Sequence, residues 1–256
     1  MNLMKLATYA AAGWLPFGQR HCGICGRDVW RFMPFKGGSA HMPALMRVLD
    51  VVGSDVDHFE CPRCGSHDRE RHLIMYLEAS GLLPAMAGKA ILHFAPERHI
   101  SKRISAIGPA RYIRCDLFPR GEDVRRVDIL AMDFEPGAFD FVIANHVLEH
   151  VADDMQALME IRRVLKVGGY AILQTPYSYK LHRTWEDGGI VDDGARLQAY
   201  GQADHVRLYG RDIFDRFCID GLESRVKSHV ELLPEVDAVR LGINLAEPFA
   251  LFQRIS

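Results

Sequence analysis

The segment FDFVIANHVLEHVADDMQALMEIRRVLKVGGYAILQTP, residues 139–176, contains the pattern that decides the fold. Its apolar opening predicts a buried strand over 139–145. Apolar residues then recur every three or four positions, which predicts a helix over 152–167 that ends at the glycine pair following it. A further apolar run predicts a strand over 170–174. The segment is therefore expected to form a strand–helix–strand unit.

The same alternation continues on both sides of this unit. Helices are expected over 98–107 and 212–219. Strands that alternate with helices pair in parallel through right-handed crossovers. The sequence therefore predicts an α/β domain over 76–256, with a Rossmann-like, doubly wound, mostly parallel seven-stranded sheet. The expected strands are 90–94, 110–115, 127–130, 139–145, 170–174, 224–229 and 249–255.

Two C-x-x-C pairs, CGICG and CPRCG, lie in the first quarter of the chain. In each pair a glycine follows the second cysteine, where a tight turn needs an unusual backbone angle. Four thiolates fill a tetrahedral zinc site and leave no position for catalysis, so the zinc is expected to be structural. Redox dithiols or plain buried cysteines are the alternative. We assign residues 1–75 to an N-terminal helix and a zinc-ribbon-like four-cysteine module, whose metal ligands are Cys22, Cys25, Cys61 and Cys64.

Composition limits the classes of partner. The 256 residues carry a net charge of -2, so no global positive field attracts nucleic acid or an anionic membrane. No apolar run is long enough for a membrane span. The opening MNLMKLATYAAAGWLPFG is expected to be a short docking helix, with a targeting or membrane-surface segment as the alternative. Reduced thiolate ligands predict a cytoplasmic protein.

Parallel sheets of this type bind ligands at the carboxyl ends of their strands. Asp116 follows the second expected strand, where a carboxylate can accept ribose hydroxyls. Asp128 belongs to the third expected strand, where a carboxylate can accept an adenine amino group. Each alone is weak evidence because aspartate is common in turns. Their order after a strand–turn–helix makes the combination stronger.

Residues 139–176 resemble class I S-adenosylmethionine-dependent methyltransferases, most specifically in LEHV and EIRRVLKVGGYAIL. The resemblance covers roughly 89–256. It extends to a branch with an N-terminal pair of cysteine knuckles, an LHFAPE first turn and a GQADHVRLYG segment. It implies that Asp116 holds the cofactor ribose and Asp128 the adenine. The cofactor positions it implies are His93, Phe94, Ala95, Pro96, Glu97, Asp116, Leu117, Asp128, Ile129, Asn145, His146 and Val147.

The first turn departs from the family pattern. His93 stands where the family has an acid, and Ala95, Glu97 and His99 stand where it has glycines. Ala95 adds only one methyl group. We expect the Glu97 carboxylate to reach the cofactor's ammonium group and so replace the missing acid. The alternative is a degenerate pocket that no longer binds the cofactor.

Methyl transfer needs a base only when the acceptor is a poor nucleophile. His146 follows the fourth strand directly and is our first candidate, with His205 as the second. The polar, glycine-rich stretch 184–210 is expected to form a lid or acceptor loop, with an ordinary surface loop as the alternative. The candidate substrate ligands in it are Glu186, Asp187, Asp204, Arg207 and Tyr209.

The expected function is methyl transfer from S-adenosylmethionine to a small molecule or sugar. Two alternatives stay open at this point. One is an RNA methyltransferase whose four-cysteine module holds RNA, which the arginine-rich stretch 98–126 favours. The other is a non-catalytic zinc-ribbon interaction protein with a degenerate cofactor pocket.

Overall fold

The computed structural model describes residues 3–15 and 18–256. Helix α1 (Leu3–Trp14) accounts for the expected N-terminal helix, while residues 1, 2, 16 and 17 of that segment lie outside the described residues. It docks on the four-cysteine module through Trp30 N, which donates to Ala12 O at 2.8 Å. None of the helices in the described ranges is long and apolar enough to cross a membrane.

The four-cysteine module is built from short elements. Its hairpin pairs β1 (Arg20–Cys22) with β2 (Arg27–Val29) in antiparallel fashion. Helix α2 (Ala44–Val48) and strand β3 (Val51–Val52) follow, and α3 (Asp68–Ala79) leads out of the module. Because α3 is one helix that crosses position 75/76, the division of the chain there stays a prediction.

The rest of the chain alternates strands and helices as expected. Its elements are α4 (Leu82–Ala85), β4 (Ala90–Phe94), α5 (Arg98–Ala106), β5 (Arg111–Asp116), β6 (Arg125–Arg126), β7 (Phe139–Ala144), α6 (Asp154–Val164), β8 (Leu165–Ile172), β9 (Tyr177–Ser178), β10 (Trp185–Glu186), α7 (Asp193–Tyr200), β11 (Arg207–Leu208), α8 (Ile213–Arg216), β12 (Leu222–Ser224), α9 (His229–Leu232), α10 (Ala238–Leu241) and β13 (Leu251–Arg254).

Seven strands form one sheet in the order β12-β13-β8-β7-β4-β5-β6, and this confirms the predicted fold class. The five strands from β8 to β6 pair in parallel, while β13 and β12 add antiparallel neighbours at one edge. From β4 the chain first adds β5 and β6 on one side, then returns to place β7 on the other. The strand order therefore reverses between β4 and β7, which is where open α/β sheets hold their ligands.

Successive residues of β7 point to opposite faces of the sheet and enter two different cores. Phe141 and Ile143 pack in a core that includes residues of α3 and α5. Val142 and Ala144 pack in a core that includes residues of α6. The sheet is thus covered on both faces, with α3 and α5 on one side and α6 on the other.

One expected strand is wrong and a second is only partly formed. The segment 127–130 is not a strand; the ladder uses Arg125–Arg126 instead, because Asp128 Oδ1 accepts Leu130 N at 2.9 Å and closes a local turn. The segment 224–229 contains strand only up to Ser224. Ser228 and Glu231 form a capping box that starts helix α9 instead.

Two helix boundaries also need correction. The helix expected over 152–167 ends at Val164, and its glycine pair lies inside β8. Phe139 pairs with Leu165 and Phe141 with Tyr170, so β8 has three extra residues that bulge out of the ladder. The glycines serve that bulge: position 168 has φ +83°, and a side chain at position 169 would approach the Asp140 carbonyl. The helix expected over 212–219 is only the four residues of α8.

Candidate functional site

The four cysteines predicted to bind zinc lie together. Their sulfur atoms are all within 4.8 Å of one another. Both knuckle glycines adopt the left-handed angle that the sequence predicted, with φ +64° at Gly26 and +73° at Gly65. Their amides donate to Cys22 O and Cys61 O, which closes the two turns. Four sulfurs at this separation fit a tetrahedral zinc ion.

Three predicted cofactor positions lie side by side at the carboxyl edge of the sheet. Phe94, the last residue of β4, pairs with Cys115 of β5 and with Ala144 of β7. The next residues along these strands are Ala95, Asp116 and Asn145, so the three follow adjacent strand ends. This edge is the one at which the strand order reverses.

Ala95 adopts a conformation that glycine prefers. Its φ is +45°, in the left-handed region, and its amide donates to Cys115 O at 2.9 Å. The backbone at this position therefore follows a tight, glycine-like turn although the residue carries a side chain. A non-glycine residue held in this region stores about 1–2 kcal/mol of strain, and such strain persists where the surroundings enforce it.

His93 and Glu97 form the centre of a hydrogen-bonded chain. His93 is fully buried; its Nε2 lies 2.8 Å from Glu97 Oε2 and its Nδ1 lies 2.8 Å from Tyr112 Oη. Asn145 Nδ2 donates to the other oxygen, Glu97 Oε1, at 3.3 Å. Burial alone would raise the pKa of Glu97, but its hydrogen bond and attraction to His93 outweigh burial and lower the pKa. Glu97 is thus held as a carboxylate beside the switch point.

The remaining predicted cofactor positions differ in exposure. Asp116 Oδ1 accepts Phe118 N at 2.8 Å, and Asp128 is exposed. Leu117 is 40% exposed, whereas Ile129 is buried in the core beneath the turn. The half-buried Asp116 and the exposed Leu117 and Asp128 leave an open edge that a nucleoside could cover. The roles of all twelve positions remain predictions.

A cleft of about 440 Å³ lies next to this edge. One wall comes from the four-cysteine module, including Phe35, Met42 and Met46, and the opposite wall from residues 197–205. His146 and Pro176 line it from the sheet side. The stretch between the two cysteine knuckles therefore contributes directly to a ligand-sized space.

His146 occupies an unusual position between the sheet and the cleft. Its φ is +51°, and its amide donates to Gln174 O at 2.7 Å. Its Nδ1 lies 3.3 Å from Glu149 Oε1 and its Nε2 lies 3.8 Å from Glu247 Oε1. Nε2 is buried, and no atom of the described residues forms a hydrogen bond with it. Nδ1 of the ring is thus held by Glu149, while Nε2 forms no hydrogen bond with the described residues.

His205 also lines the cleft and is 2% exposed. Its Nδ1 lies 3.0 Å from Tyr200 O, and its ring centroid is 4.7 Å from that of His150 in an edge-to-face arrangement. Burial lowers the pKa of His205 more than neighbouring acids raise it. A neutral imidazole is therefore favoured at this position.

The five candidate substrate ligands do not converge on the cleft. Of the five, only Asp204 lines the cleft. Tyr209 is fully buried and donates to Asp154 Oδ2, while Asp187 accepts Gly189 N in a surface turn. Glu186 forms ion pairs with Arg207 and Arg216.

Arg207 ties the stretch 184–210 to the segment between β7 and α6. It is 3% exposed, and its guanidinium donates to the carbonyls of Leu148, Val151 and Ala152 as well as to Glu186. These contacts use the donors that a substrate would need. The geometry therefore favours a positioning role for Arg207 over direct substrate contact.

Two acidic residues of this region were not among the sequence candidates. Glu149 is 1% exposed and accepts Thr175 Oγ1 at 3.0 Å. Burial would raise its pKa, but the hydrogen bond to His146 and the nearby histidines outweigh burial and lower the pKa to about 2. The signal for Glu149 was present, because an acid flanked by histidines in HVLEH is unusual in an apolar stretch. Glu247 had no such signal, since it lies alone in a C-terminal loop.

Parts of the chain are similar to known proteins. Residues 100–173 match the family described as a methyltransferase domain. An uncharacterized 37.1 kDa protein in transposon Tn4556 of Streptomyces fradiae is 31% identical over 110 residues, a match that spans 43% of this chain and 28% of that protein. The chain thus covers less than a third of that relative.

The chain is also weakly similar to two solved structures. The S-adenosylmethionine-dependent methyltransferase from Mesorhizobium loti is 15% identical, with a TM-score of 0.46 over 69% of this chain and 96% of that one. The YcgJ protein of Bacillus subtilis is 16% identical, with a TM-score of 0.40 over 69% and 94%. The segment that matches the methyltransferase-domain family, residues 100–173, runs from α5 to β8 and so lies within the seven-stranded sheet domain.

Proposed function

We propose that this chain transfers a methyl group from S-adenosylmethionine to a small-molecule acceptor, with sugars among the candidates. The observation that carries the proposal is the 440 Å³ cleft, which opens onto His146 at the switch point of the sheet. Small-molecule sites commonly enclose about 300–1,000 Å³, so the cleft suits one acceptor of modest size.

The cofactor is assigned to the carboxyl edge beside the cleft. When bound, S-adenosylmethionine carries an electrophilic methyl group on a sulfonium. Asp116 is assigned to the ribose hydroxyls and Asp128 to the adenine amino group. Glu97, a carboxylate held by His93 and Asn145, is assigned to the ammonium group. This arrangement leaves the methionine end beside His146.

His146 is assigned as the base for a hydroxyl acceptor. The Glu149 carboxylate can only accept a hydrogen bond, so in the neutral ring the Nδ1 at 3.3 Å from it carries the proton. Nε2 lies 3.8 Å from Glu247 Oε1, too far for a hydrogen bond, and keeps its lone pair. Nε2 can then take the acceptor's proton. The resulting imidazolium lies between Glu149 and Glu247, whose charges stabilise it.

We also assign a structural zinc ion to the four cysteines. The module residues that line the cleft lie between the two knuckles in sequence. Closing both knuckles on one ion fixes the ends of that stretch. The zinc ion thereby shapes the acceptor wall without taking part in the reaction.

Charge distribution supports a small acceptor over RNA. Several arginines of the stretch 98–126 form ion pairs with acidic side chains. These pairs reduce the positive electrostatic potential that would attract RNA phosphates. These pairs are Arg103–Glu78 at 2.6 Å, Arg114–Asp123 at 2.7 Å and Arg125–Asp133 at 2.5 Å.

The test follows a labelled methyl group from S-adenosylmethionine into two fractions of one cell extract, its small molecules and its total RNA. Label is expected in the small-molecule fraction, and His146→Asn is expected to slow its appearance by about 100-fold or more, a typical general-base contribution. The surface variant His182→Gln serves as the control. Label in RNA alone, or failure to bind S-adenosylmethionine in calorimetry, would contradict the proposal.

A further inference from the structure

A second cluster of metal-ligating side chains lies beside the cleft, separate from the four cysteines. Glu149, His150 and His205 each offer one ligand atom, and these atoms lie within 4.8 Å of one another. Ligands at about 2.0–2.2 Å from one ion lie roughly 3–4 Å apart, so small side-chain rotations close the set around an ion. The cluster combines two imidazoles with one carboxylate.

The tautomer of His205 prepares it for metal binding. Its Nδ1 lies 3.0 Å from Tyr200 O, and a carbonyl can only accept, so Nδ1 carries the proton. The lone pair is then on Nε2, which is buried and has no hydrogen-bond partner among the described residues. Metal-bound histidines usually donate their other N–H to a carbonyl or carboxylate in this way. A buried imidazole nitrogen without a partner is otherwise costly.

The other two members are oriented in a similar way. His150 Nδ1 lies 3.2 Å from Asp204 O, which leaves the Nε2 lone pair of this ring free. Glu149 accepts Thr175 Oγ1 at 3.0 Å and is held as a carboxylate in a buried position. The amide of Val206 donates to Glu149 O at 2.9 Å and so ties the loop that carries His205 to the turn that carries Glu149.

We propose that Glu149, His150 and His205 bind a divalent first-row transition ion, such as zinc, at the edge of the cleft. Two imidazoles and one carboxylate suit such ions better than magnesium or calcium, which prefer oxygen ligands. Three protein ligands leave a coordination position for water or for an oxygen of a bound molecule. His150 is one-third exposed and Asp204 is mostly exposed, so the ion has a route in from solvent.

Co²⁺ is a suitable probe because its visible spectrum reports the ligand atoms. Full-length protein that retains one equivalent of zinc is titrated with Co²⁺ by absorbance and calorimetry. One equivalent is expected to bind with visible ligand-field bands and without thiolate charge-transfer bands in the near ultraviolet. Glu149→Gln, His205→Gln and His150→Gln are each expected to weaken binding by at least about 100-fold, since changes even at supporting residues cost 10–100-fold.

His182→Gln is the matched control, because His182 is an exposed histidine that contacts only Arg211 among the described side chains. His150→Gln keeps the test valid if a buried variant fails to fold. Absence of a second bound equivalent would overturn the proposal, as would thiolate charge-transfer bands or unchanged affinity in His150→Gln. The readout is metal binding, so this result stands apart from that of the methyl-transfer assay.

Discussion

His93 Nε2 lies 2.8 Å from Glu97 Oε2, so a fully buried histidine of β4 holds a carboxylate that lies four residues later in the chain. Because Glu97 can only accept, His93 Nε2 carries the proton of this bond. The negative charge of Glu97 is therefore held beside the point where the strand order reverses. Each Glu97 oxygen has one protein donor and retains capacity for a further one.

Glu97→Gln is expected to weaken the binding of S-adenosylmethionine. Loss of a charged hydrogen bond costs about 1.5–3 kcal/mol, which corresponds to about 10- to 150-fold in Kd. Isothermal calorimetry measures the change, with the exposed Glu235→Gln as the control. Equal affinity in Glu97→Gln and the wild type would show that Glu97 does not contact the ammonium group.

Ala95→Gly is expected to maintain or raise stability, by up to about 1.5 kcal/mol. Glycine removes left-handed strain of about 1–2 kcal/mol but makes the unfolded chain more flexible, at a cost of about 0.5–1 kcal/mol. Ala95→Val is expected to lower stability because a β-branched residue resists this conformation. Ala106→Gly, in the right-handed last turn of α5, is the control and is expected to lower stability. Urea unfolding gives the values, and a loss in Ala95→Gly equal to that in Ala106→Gly would contradict the argument.

Cys64→Ser is expected to contain one equivalent of zinc fewer than the wild type and to unfold at lower temperature. Binding energy at a structural zinc site is folding energy for the module that provides the ligands. Acceptor binding should weaken more than cofactor binding, because the module lines the cleft. Metal analysis and calorimetric melting test this against Cys218→Ser, which changes an exposed cysteine. Unchanged zinc content in Cys64→Ser would exclude a four-cysteine site.

Arg71→Lys is expected to lower the free energy of unfolding by about 2–4 kcal/mol. The guanidinium donates to five backbone carbonyls and lies 3.9 Å from the centroid of the Phe32 ring. A lysine has three donors and cannot reach all five acceptors, and each unpaired buried carbonyl costs about 1–3 kcal/mol. Urea unfolding of Arg71→Lys and of the exposed Arg98→Lys gives the comparison. Equal stability of the two would show that the five bonds contribute little.

The sequence predicted the sheet well because its strands are apolar runs separated by periodic helices. It failed at 127–130 and 224–229, where local side-chain bonds of Asp128 and Ser228 compete with the sheet ladder. The spacing of apolar residues does not reveal where a side-chain hydrogen bond will replace a bond of the sheet ladder. The knuckle glycines were predictable because a C-x-x-C turn requires the angle that glycine provides.

The cleft was only partly predictable. His146 and His205 could be singled out from their places after strands, but their partners could not. Glu247 approaches His146 from a loop a hundred residues later, and the module wall is placed by tertiary packing. Arg207 was predicted as a substrate ligand because charged loop residues often bind ligands. The carbonyls that accept hydrogen bonds from Arg207 are distant in sequence and are brought to it only by folding.

The His72–His229 pair is expected to make stability depend on pH. His72 Nε2 lies 2.9 Å from His229 Nδ1, with Tyr76 packed against both rings and Glu247 Oε2 3.5 Å from His72 Nδ1. Burial, and then the proximity of His72, lower the pKa of His229 from 6.5 to about 4. Between these values the unfolded chain binds a proton that the folded chain does not. The contribution of His229 to the free energy of unfolding is therefore complete above about pH 6.5 and is lost as the pH falls towards 4.

Urea unfolding from pH 7.5 to 4 is expected to show a smaller loss of unfolding free energy in His229→Gln than in the wild type, while His182→Gln keeps the wild-type slope. An identical slope in His229→Gln would show that His229 titrates alike in both states.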